Sequence, residues 1–446
     1  MLLAMSILAR VRGFQRRAHV TPVTLRRHAP DRGPAEVIHA AYRRHRAALL
    51  ALPAGQETTP AGDATTPLRW SLGFAGWRDW FVGDVFLMSL QLLRVHGAWV
   101  RARHGVPTWK QWLHMVALAV WLPSKPEGYY MFEWYLPQRR ARARAYLHRH
   151  EMKRVVYLLL APPPGNPSLK DKRAFAEHAL RHGLPAVRTL ATVIGGAFTL
   201  GAGVDRAALS RDLFVKPVDG RGGGGTDRIS HHAGSDRPYR SARTGACSSL
   251  EELVQHYAER SRGERHAAGF LVQERLVNHP DVAPLAGAAL STCRIVTILD
   301  EAGEPEPIIA IFRMAGDADA VVDNSHAGGM AAPVDLASGR LGAAAFLVHD
   351  SSLERLQRRE DTGAAIDGAV LPLWPQVIDL AVRAHRAFAP RLLVGWDIAL
   401  TPNGPVLVEA NAQPCTDGLQ RRHQVALGDH RFGQLVAHHL RAREAR

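Results

Sequence analysis

Three oxygen-bearing side chains near the end of the chain pose the chemical question. In GWDIALTPNGPVLVEANAQP (395–414), two apolar runs flank the turn residues Pro402-Asn403-Gly404-Pro405, which predicts a β-hairpin. With Asn403 at the centre of the turn, Asp397 on the first strand falls opposite Glu409 on the second, to within one residue of register. Glu409 and Asn411, two apart, share a strand face. Adjacent carboxylates repel, so protons, an arginine or a divalent cation must offset the cost. Such donors suit Mg²⁺, which takes one or two carboxylates and leaves its other positions to water and phosphate oxygens. Arg294 sits among apolar neighbours in TCRIVTIL, where an arginine needs an anionic partner: Asp397, Glu409 or a phosphate. Neutralisation of the acid pair by Arg294 and capture of a cation therefore stand as alternatives.

A second group of residues points to an anion. DLFVKPVDGRGGGGTD (212–227) places Lys216 on a strand, followed by a loop with Gly220, Gly222, Gly223, Gly224 and Gly225. Glycines let backbone N–H groups approach phosphate oxygens closely, and a nearby ammonium supplies charge. No lysine lies between Gly225 and Thr226, so this is not a Walker A loop, and a plain flexible connection is the competing reading. GFLVQERLVNHP (269–280) reads as a strand running into Glu274 and Leu276, a hinge whose backbone could pair with an adenine edge. VVDNSHAGGM (321–330) carries Asp323, Asn324 and His326, either an acceptor loop or an ordinary polar turn. Cys415 reads as a small packed hydrophobe.

These residues need a scaffold, and the pattern after residue 150 supplies one of class α+β. VVYLLL (155–160) reads as a buried strand and DKRAFAEHALRHG (171–183) as an amphipathic helix ending at Gly183. Strands and helices then alternate through DLFVKPV, SSLEELVQHYAERS, GFLVQERLV, TCRIVTILD, EPIIAIFRM, a helix over 374–388 and the hairpin. The front differs. Residues 70–150 hold eight of the ten tryptophans and read as a small helical domain whose aromatics form its core, Trp109 and Trp112 sharing one helix face. QRRARARAYLHRH (138–150) predicts a basic helix, and residues 1–69 a poorly structured or partly helical basic segment.

Composition bounds the class. At 446 residues, with 46% hydrophobic and 22% charged residues, this is an ordinary globular chain with room for two or three domains. Three scattered cysteines exclude a disulfide framework and a cysteine zinc site, and place the protein by default in a reducing, cytoplasmic compartment. No run approaches the roughly 20 apolar residues of a membrane span. The net charge of +15 is uneven: residues 1–150 carry 22 Lys/Arg against 8 Asp/Glu, the remainder 34 against 33. A basic front of this kind could meet a membrane surface or another polyanion; no specific nucleic-acid partner is expected.

Taken in order, lysine on a strand, glycine-rich loop, hinge strand ending in Glu, internal arginine and Asp…Glu-x-Asn, the chain resembles the ATP-grasp superfamily of carboxylate–amine ligases. More narrowly it is similar to the sugar-transfer-associated ATP-grasp group, related to α-L-glutamate ligases and found with polysaccharide synthesis. KPEGYYMFEWYL, LVQERLVNHP, STCRIVTIL, VVDNSHAGGMAAPVDLASGRLG and GWDIALTPNGPVLVEANAQP carry that likeness. The resemblance implies an ATP-grasp fold over 151–446, two α+β subdomains sandwiching ATP, behind a basic, mainly helical N-terminal region. It implies ATP and Mg²⁺ as cofactors. Lys172 and Lys216 would hold phosphates, with Gly222, Gly223, Gly224 and Gly225 closing over them. Glu274 and Leu276 would meet adenine; Asp397, Glu409 and Asn411 would bind the metal; Arg294 would stabilise an acyl phosphate. The expected reaction joins a small-molecule, glycan or peptide carboxylate to an amine. The rivals are a kinase acting on a hydroxyl, and a polyanion- or membrane-binding module with a vestigial ATP site. Many ATP-grasp enzymes carry an α/β domain in front; here the front is helical and basic.

Overall fold

In the computed structural model the described residues are 33–50, 85–122, 124–162, 166, 168–219, 224–263, 268–287, 289–316, 323, 328–347 and 352–444. The chain divides into two compact units, 1–144 and 145–446.

Within the first unit every described regular element is helical. Helix α1 spans Pro34–Leu50. Helices α2 (Met88–Leu92) and α3 (Ala98–His104) run on through a π-helical stretch, Leu93–Gly97. Gly105, at φ +66, ends that run in the left-handed conformation glycine adopts without penalty. Pro107 then precedes α4 (Thr108–Trp121). The hairpin is pinned from inside: buried Gln111 donates to the carbonyls of Gly97 (3.0 Å) and Val106 (2.7 Å), and Tyr130 Oη donates to its Oε1 at 2.7 Å. Trp134 is fully buried, as a core tryptophan should be, but Trp109 and Trp121 are 64% and 63% exposed. Trp112, half-buried against the edge of Phe86, does not share the surroundings of Trp109, so the aromatic core is only partly what the spacing predicted.

Two further expectations fail. The basic stretch 138–150 is not one helix: α5 (Pro137–Ala141) gives way to a 3₁₀ turn at Ala143–Ala145, and helix resumes only at Arg149–Glu151. Ala143, Ala145, Tyr146 and Leu147 are all buried, a spacing that no single helix face provides. The apolar run 155–160 is helical rather than a strand, through Met152–Val156 and Tyr157–Leu159. Its buried positions Met152, Val156, Tyr157 and Leu160 repeat at helical spacing, which the apolar Leu158 and Leu159 conceal in the sequence.

Among the described residues the second unit holds two seven-stranded antiparallel sheets. The first contains β1 (Thr189–Ile194), β2 (Ala197–Leu200), β3 (Leu213–Pro217), β4 (Asp227–His231), β5 (Tyr239–Ser241), β6 (Cys247–Ser248) and β7 (Phe270–Glu274), in the order β2-β1-β7-β3-β4-β5-β6. Helix α6 (Lys172–Arg181) precedes it, its N-terminus capped by Asp171, whose carboxylate accepts from the Arg173 and Ala174 amides. Helix α7 (Leu250–Arg262) begins with a Ser249/Glu252 capping box and buries Leu253 and Tyr257 against Leu213, Val215, Phe270 and Val272.

The second sheet runs β12-β11-β10-β9-β8-β13-β14, with β8 (Thr292–Leu299), β9 (Pro305–Met314), β10 (Met330–Val334), β11 (Ala344–Phe346), β12 (Arg355–Leu356), β13 (Leu393–Thr401) and β14 (Gly404–Asn411). Helix α8 (Trp374–Ala387) covers one face, burying Trp374, Val377, Leu380, Ala381 and Ala384. The alternation of strand side chains then sorts the sheet. Cys293 and Ile295, Ala310 and Phe312, Val394, Trp396 and Ile398, Leu407 and Ala410 join the α8 core. Their neighbours in sequence take the other face. Helix α9 (Thr416–His423) and helix α10 (Arg431–Glu444) close the unit.

Candidate active site

The face of the second sheet away from α8 carries the charges. Arg294 on β8 pairs in register with Asp397 on β13, and Thr292 with Arg313 on β9. Arg294 grips the carboxylate with two bonds, Nε to Oδ1 at 2.6 Å and Nη2 to Oδ2 at 2.5 Å. Arg313 Nη1 adds a third, to Oδ2 at 2.9 Å, while its Nη2 reaches Asp323 Oδ1 at 2.9 Å. Thr292 Oγ1 donates to the other Asp323 oxygen at 2.6 Å. Asp397 is 1% exposed and Asp323 7%. Burial alone would raise the Asp397 carboxyl; Arg294 and then Arg313 overcome it and hold the group below its ordinary range. For Asp323 burial prevails over Arg313 and the carboxyl is pushed up.

The hairpin brings Glu409 to this face through a bulge. From the turn outward the pairs are Thr401↔Gly404, Leu400↔Pro405, Ala399↔Val406 and Ile398↔Leu407, after which the register slips and Asp397 faces Glu409. Without the extra residue Asp397 would meet Val408, and Glu409 would turn towards the Trp396 side. Asn411 pairs with Gly395, two residues further along, and its Nδ2 is buried with no hydrogen-bond partner among the described residues.

From the first sheet comes Lys216. Leu213 and Val215 on β3 face α7, so Lys216 projects from the opposite face, where it is 5% exposed. Burial pushes its ammonium down to about 8; Glu409 and Asp397 act to raise it, and Lys172 to lower it. The same field thus joins Lys216, Lys172, Glu409 and Asp397. Lys172, half-buried at the start of α6, has its backbone amide 3.4 Å from the Val218 carbonyl, just past β3, whereas Lys170, two residues before it, is exposed.

Of the glycine loop, Gly222 and Gly223 lie outside the described residues. Gly224 and Gly225 form the turn that leads into β4, Gly225 at φ +80. Buried Asp227 anchors that return, accepting from Ser241 Oγ at 2.5 Å and from the Arg243 amide at 3.0 Å. Glu274 ends β7 opposite Leu213 and is 3.5 Å from Arg211, both partly exposed; half-buried Leu276 follows it. Asn324 and His326 fall outside the described residues. Burial, then Asp417, pushes the Cys415 thiol up, which disfavours the thiolate that sulfur chemistry needs.

The donors suit a hard cation: the Glu409 carboxylate and Asn411 amide lie on one strand face beside Asp397. Asp397 already accepts three guanidinium N–H bonds, so Glu409 and Asn411 would be the primary ligands and Asp397 would offer the lone pairs the arginines leave. Among the described residues no group of three His, Cys, Asp or Glu side chains is arranged to hold a metal by itself. A set of two carboxylates and an amide instead leaves positions for phosphate oxygens and water. Sequence reasoning missed Arg313. Its signal was the one that marked Arg294: a cation inside an otherwise apolar strand, here EPIIAIFRM.

A family model described as sugar-transfer associated ATP-grasp matches residues 153–430. No curated protein matches the sequence. Similar solved structures include the ATP-grasp ligase PsnB complexed with minimal precursor, at 18% identity and TM-score 0.34, covering 71% of this chain and 74% of that one. D-alanine–D-alanine ligase from Bacillus anthracis complexed with ATP is similar at 12% identity and TM-score 0.36, covering 62% and 68%. L-amino acid ligase from Bacillus licheniformis is similar at 12% identity and TM-score 0.33, covering 63% of this chain; the match spans only 53% of that protein.

Proposed function

The chain belongs to the sugar-transfer associated ATP-grasp family, matched over residues 153–430, and from that premise we propose that it is an ATP-dependent ligase joining a carboxylate to an amine. Residues 145–446 have the ATP-grasp fold, α+β with two antiparallel sheets. The observation that carries the proposal is the strand face on which Glu409 and Asn411 lie beside Asp397, with Lys216 of the other sheet adding a buried ammonium on which both carboxylates act.

In this reading an oxygen of the substrate carboxylate attacks the γ-phosphorus of ATP. The bond to the β–γ bridging oxygen breaks, and ADP departs. A neutral amine then adds to the acyl carbon; the C–O bond to phosphate breaks, inorganic phosphate leaves with the electron pair, and the nitrogen sheds a proton. Lys216 and Lys172 hold phosphate oxygens and offset charge as it develops, with Gly222, Gly223, Gly224 and Gly225 closing above them. Glu274 and Leu276 bound the adenine. Arg294 faces the transferring phosphoryl group, with Asp397 fixing its guanidinium in place and Arg313 beside it. Glu409, Asn411 and Asp397 would hold Mg²⁺, which would supply positive charge against the phosphate oxygens. The acceptor class that fits the family is a sugar, polysaccharide or peptide.

The test is phosphate release from purified protein with ATP, Mg²⁺ and paired pools of carboxylates and amines, run with and without hydroxylamine. A carboxylate-dependent hydroxamate and an amide product are expected, and Glu409→Ala should abolish ATP–Mg²⁺ binding. ADP formation that depends on a hydroxyl acceptor, with neither hydroxamate nor amide, would make the protein a kinase and overturn the reading. Absence of ATP binding would leave only a binding module.

A further inference from the structure

Residues 85–122 of the first unit contain four Lys/Arg, namely Arg94, Arg101, Arg103 and Lys110, and no Asp or Glu. All four cations are exposed. The same segment exposes Phe86 (36%), Leu87 (55%), Val95 (48%), Trp109 (64%) and Trp121 (63%), five of the nine large hydrophobic side chains exposed among the described residues. Side chains of this kind have no reason to face water in such density unless something else covers them.

Their arrangement is regular. On α4 the buried positions Gln111, Met115, Val116 and Ala119 occupy one side, packed inward. The exposed arc contains Trp109, Lys110, Ala117 and Trp121, with half-exposed Leu113 between them. At about 100° per residue these fall within roughly 120° of the helix circumference. The preceding run shows the same one-sided pattern: Leu87, Gln91, Arg94, Val95, Ala98 and Arg101 are exposed at spacings of three and four. Both helices therefore bury one face in the unit and present another that is apolar and cationic together.

We propose that this helical hairpin docks in the plane of an anionic membrane surface, with Trp109 and Trp121 seated at headgroup level and the four cations on lipid phosphates. The chemistry of the face selects that partner. Tryptophan is favoured at the boundary between headgroups and acyl chains, and a cationic face free of carboxylates is attracted to anionic lipid. Helix α4, at 14 residues, rises about 21 Å, short of the roughly 30 Å hydrocarbon core, and no described helix is long and apolar enough to cross it. The hairpin lies on the membrane and does not span it. A nucleic acid would be met by the same cations, but the aliphatic Leu87 and Val95 offer it nothing to stack upon.

The full-length protein should co-sediment with vesicles containing phosphatidylglycerol and not with pure phosphatidylcholine, and raising NaCl from 50 to 500 mM should weaken the association at least tenfold. Trp109→Ser combined with Trp121→Ser should reduce vesicle affinity at least tenfold while leaving the circular dichroism spectrum and elution volume unchanged. Val370→Ser, an exposed apolar residue of the second unit, should have no effect. Any of these results would overturn the proposal: no association with anionic vesicles, equal association with both lipids, full retention of binding in the double variant, or a salt-sensitive preference for RNA or DNA without vesicle binding. Self-association abolished by the double variant, again without vesicle binding, would assign the face to a second copy of the chain and equally overturn it. None of these outcomes bears on ATP binding, so this proposal and the ligase assignment fail separately.

Discussion

Arg294 and Asp397 face each other across β8 and β13, and the guanidinium fork closes on both carboxylate oxygens while Arg313 takes a further bond to Oδ2. The three groups form one buried ionic unit in which no member is expendable, because removing one leaves another buried charge uncompensated.

Replacing Asp397 by Asn should therefore destabilise the protein by about 3–5 kcal/mol, read from urea unfolding. The carboxyl lies below its ordinary 3.8 in the folded state. Its stabilising contribution is thus complete above pH 4 or so and is lost as pH falls towards the folded value. The wild type should show an acid-side loss of stability that the Asn variant lacks in part; parallel pH profiles for the two proteins would refute this assignment.

Lys216 predicts a slope of the same sign in an alkaline window. Burial depresses its ammonium from 10.5 to about 8, so between those values the unfolded chain binds the proton and the folded chain does not. Stability should rise with pH across that window, by up to about 3 kcal/mol from this group. Lys216→Met should flatten the rise and, near pH 7, leave the protein as stable as wild type or more so, while ATP affinity falls at least tenfold. Intact ATP binding in this variant would remove Lys216 from the phosphate site.

Arg313 spans two carboxylates, Asp397 and Asp323, with different nitrogens of one planar group. A lysine keeps the charge but not the fork. Arg313→Lys should cost about 1–3 kcal/mol in stability. In turnover assays it should lower kcat more than it raises the KM for ATP, as expected for a group that orients Arg294 and the acid cluster. An equal change in both would place Arg313 in ground-state nucleotide binding instead.

Most of the second unit was legible because its strands and helices carry strong local signals. The amphipathic pattern of 171–183, the turn at Pro402-Asn403 and the apolar runs of β8 and β13 each act over a few residues, and the structure follows them. The failures share a cause. In 155–160 every residue is apolar, so no periodicity distinguishes helix from strand, and tertiary burial chose the helix. In 138–150 the high helix propensity of Arg and Ala yielded to the burial of Tyr146 and Leu147. The exposure of Trp109 and Trp121 could not be read from a segment whose helices are apolar on both sides.

The order of residue types along the chain determined by itself which groups could do chemistry, since a strand face and a turn are local matters that spacing decides. Only the folded chain decided how they meet. Counted out from the two-residue turn, a regular hairpin sets Asp397 against Val408; one unpaired residue in β14 reverses the parity and turns Glu409 to the side of Asp397. Arg313, nineteen positions from Arg294 in sequence, reaches the same carboxylate because β8 and β9 lie side by side. Lys216 is buried within the field of Glu409 although it belongs to the other sheet. Burial and cross-strand pairing are long-range consequences of packing, and through them a set of plausible side chains becomes one electrostatic site.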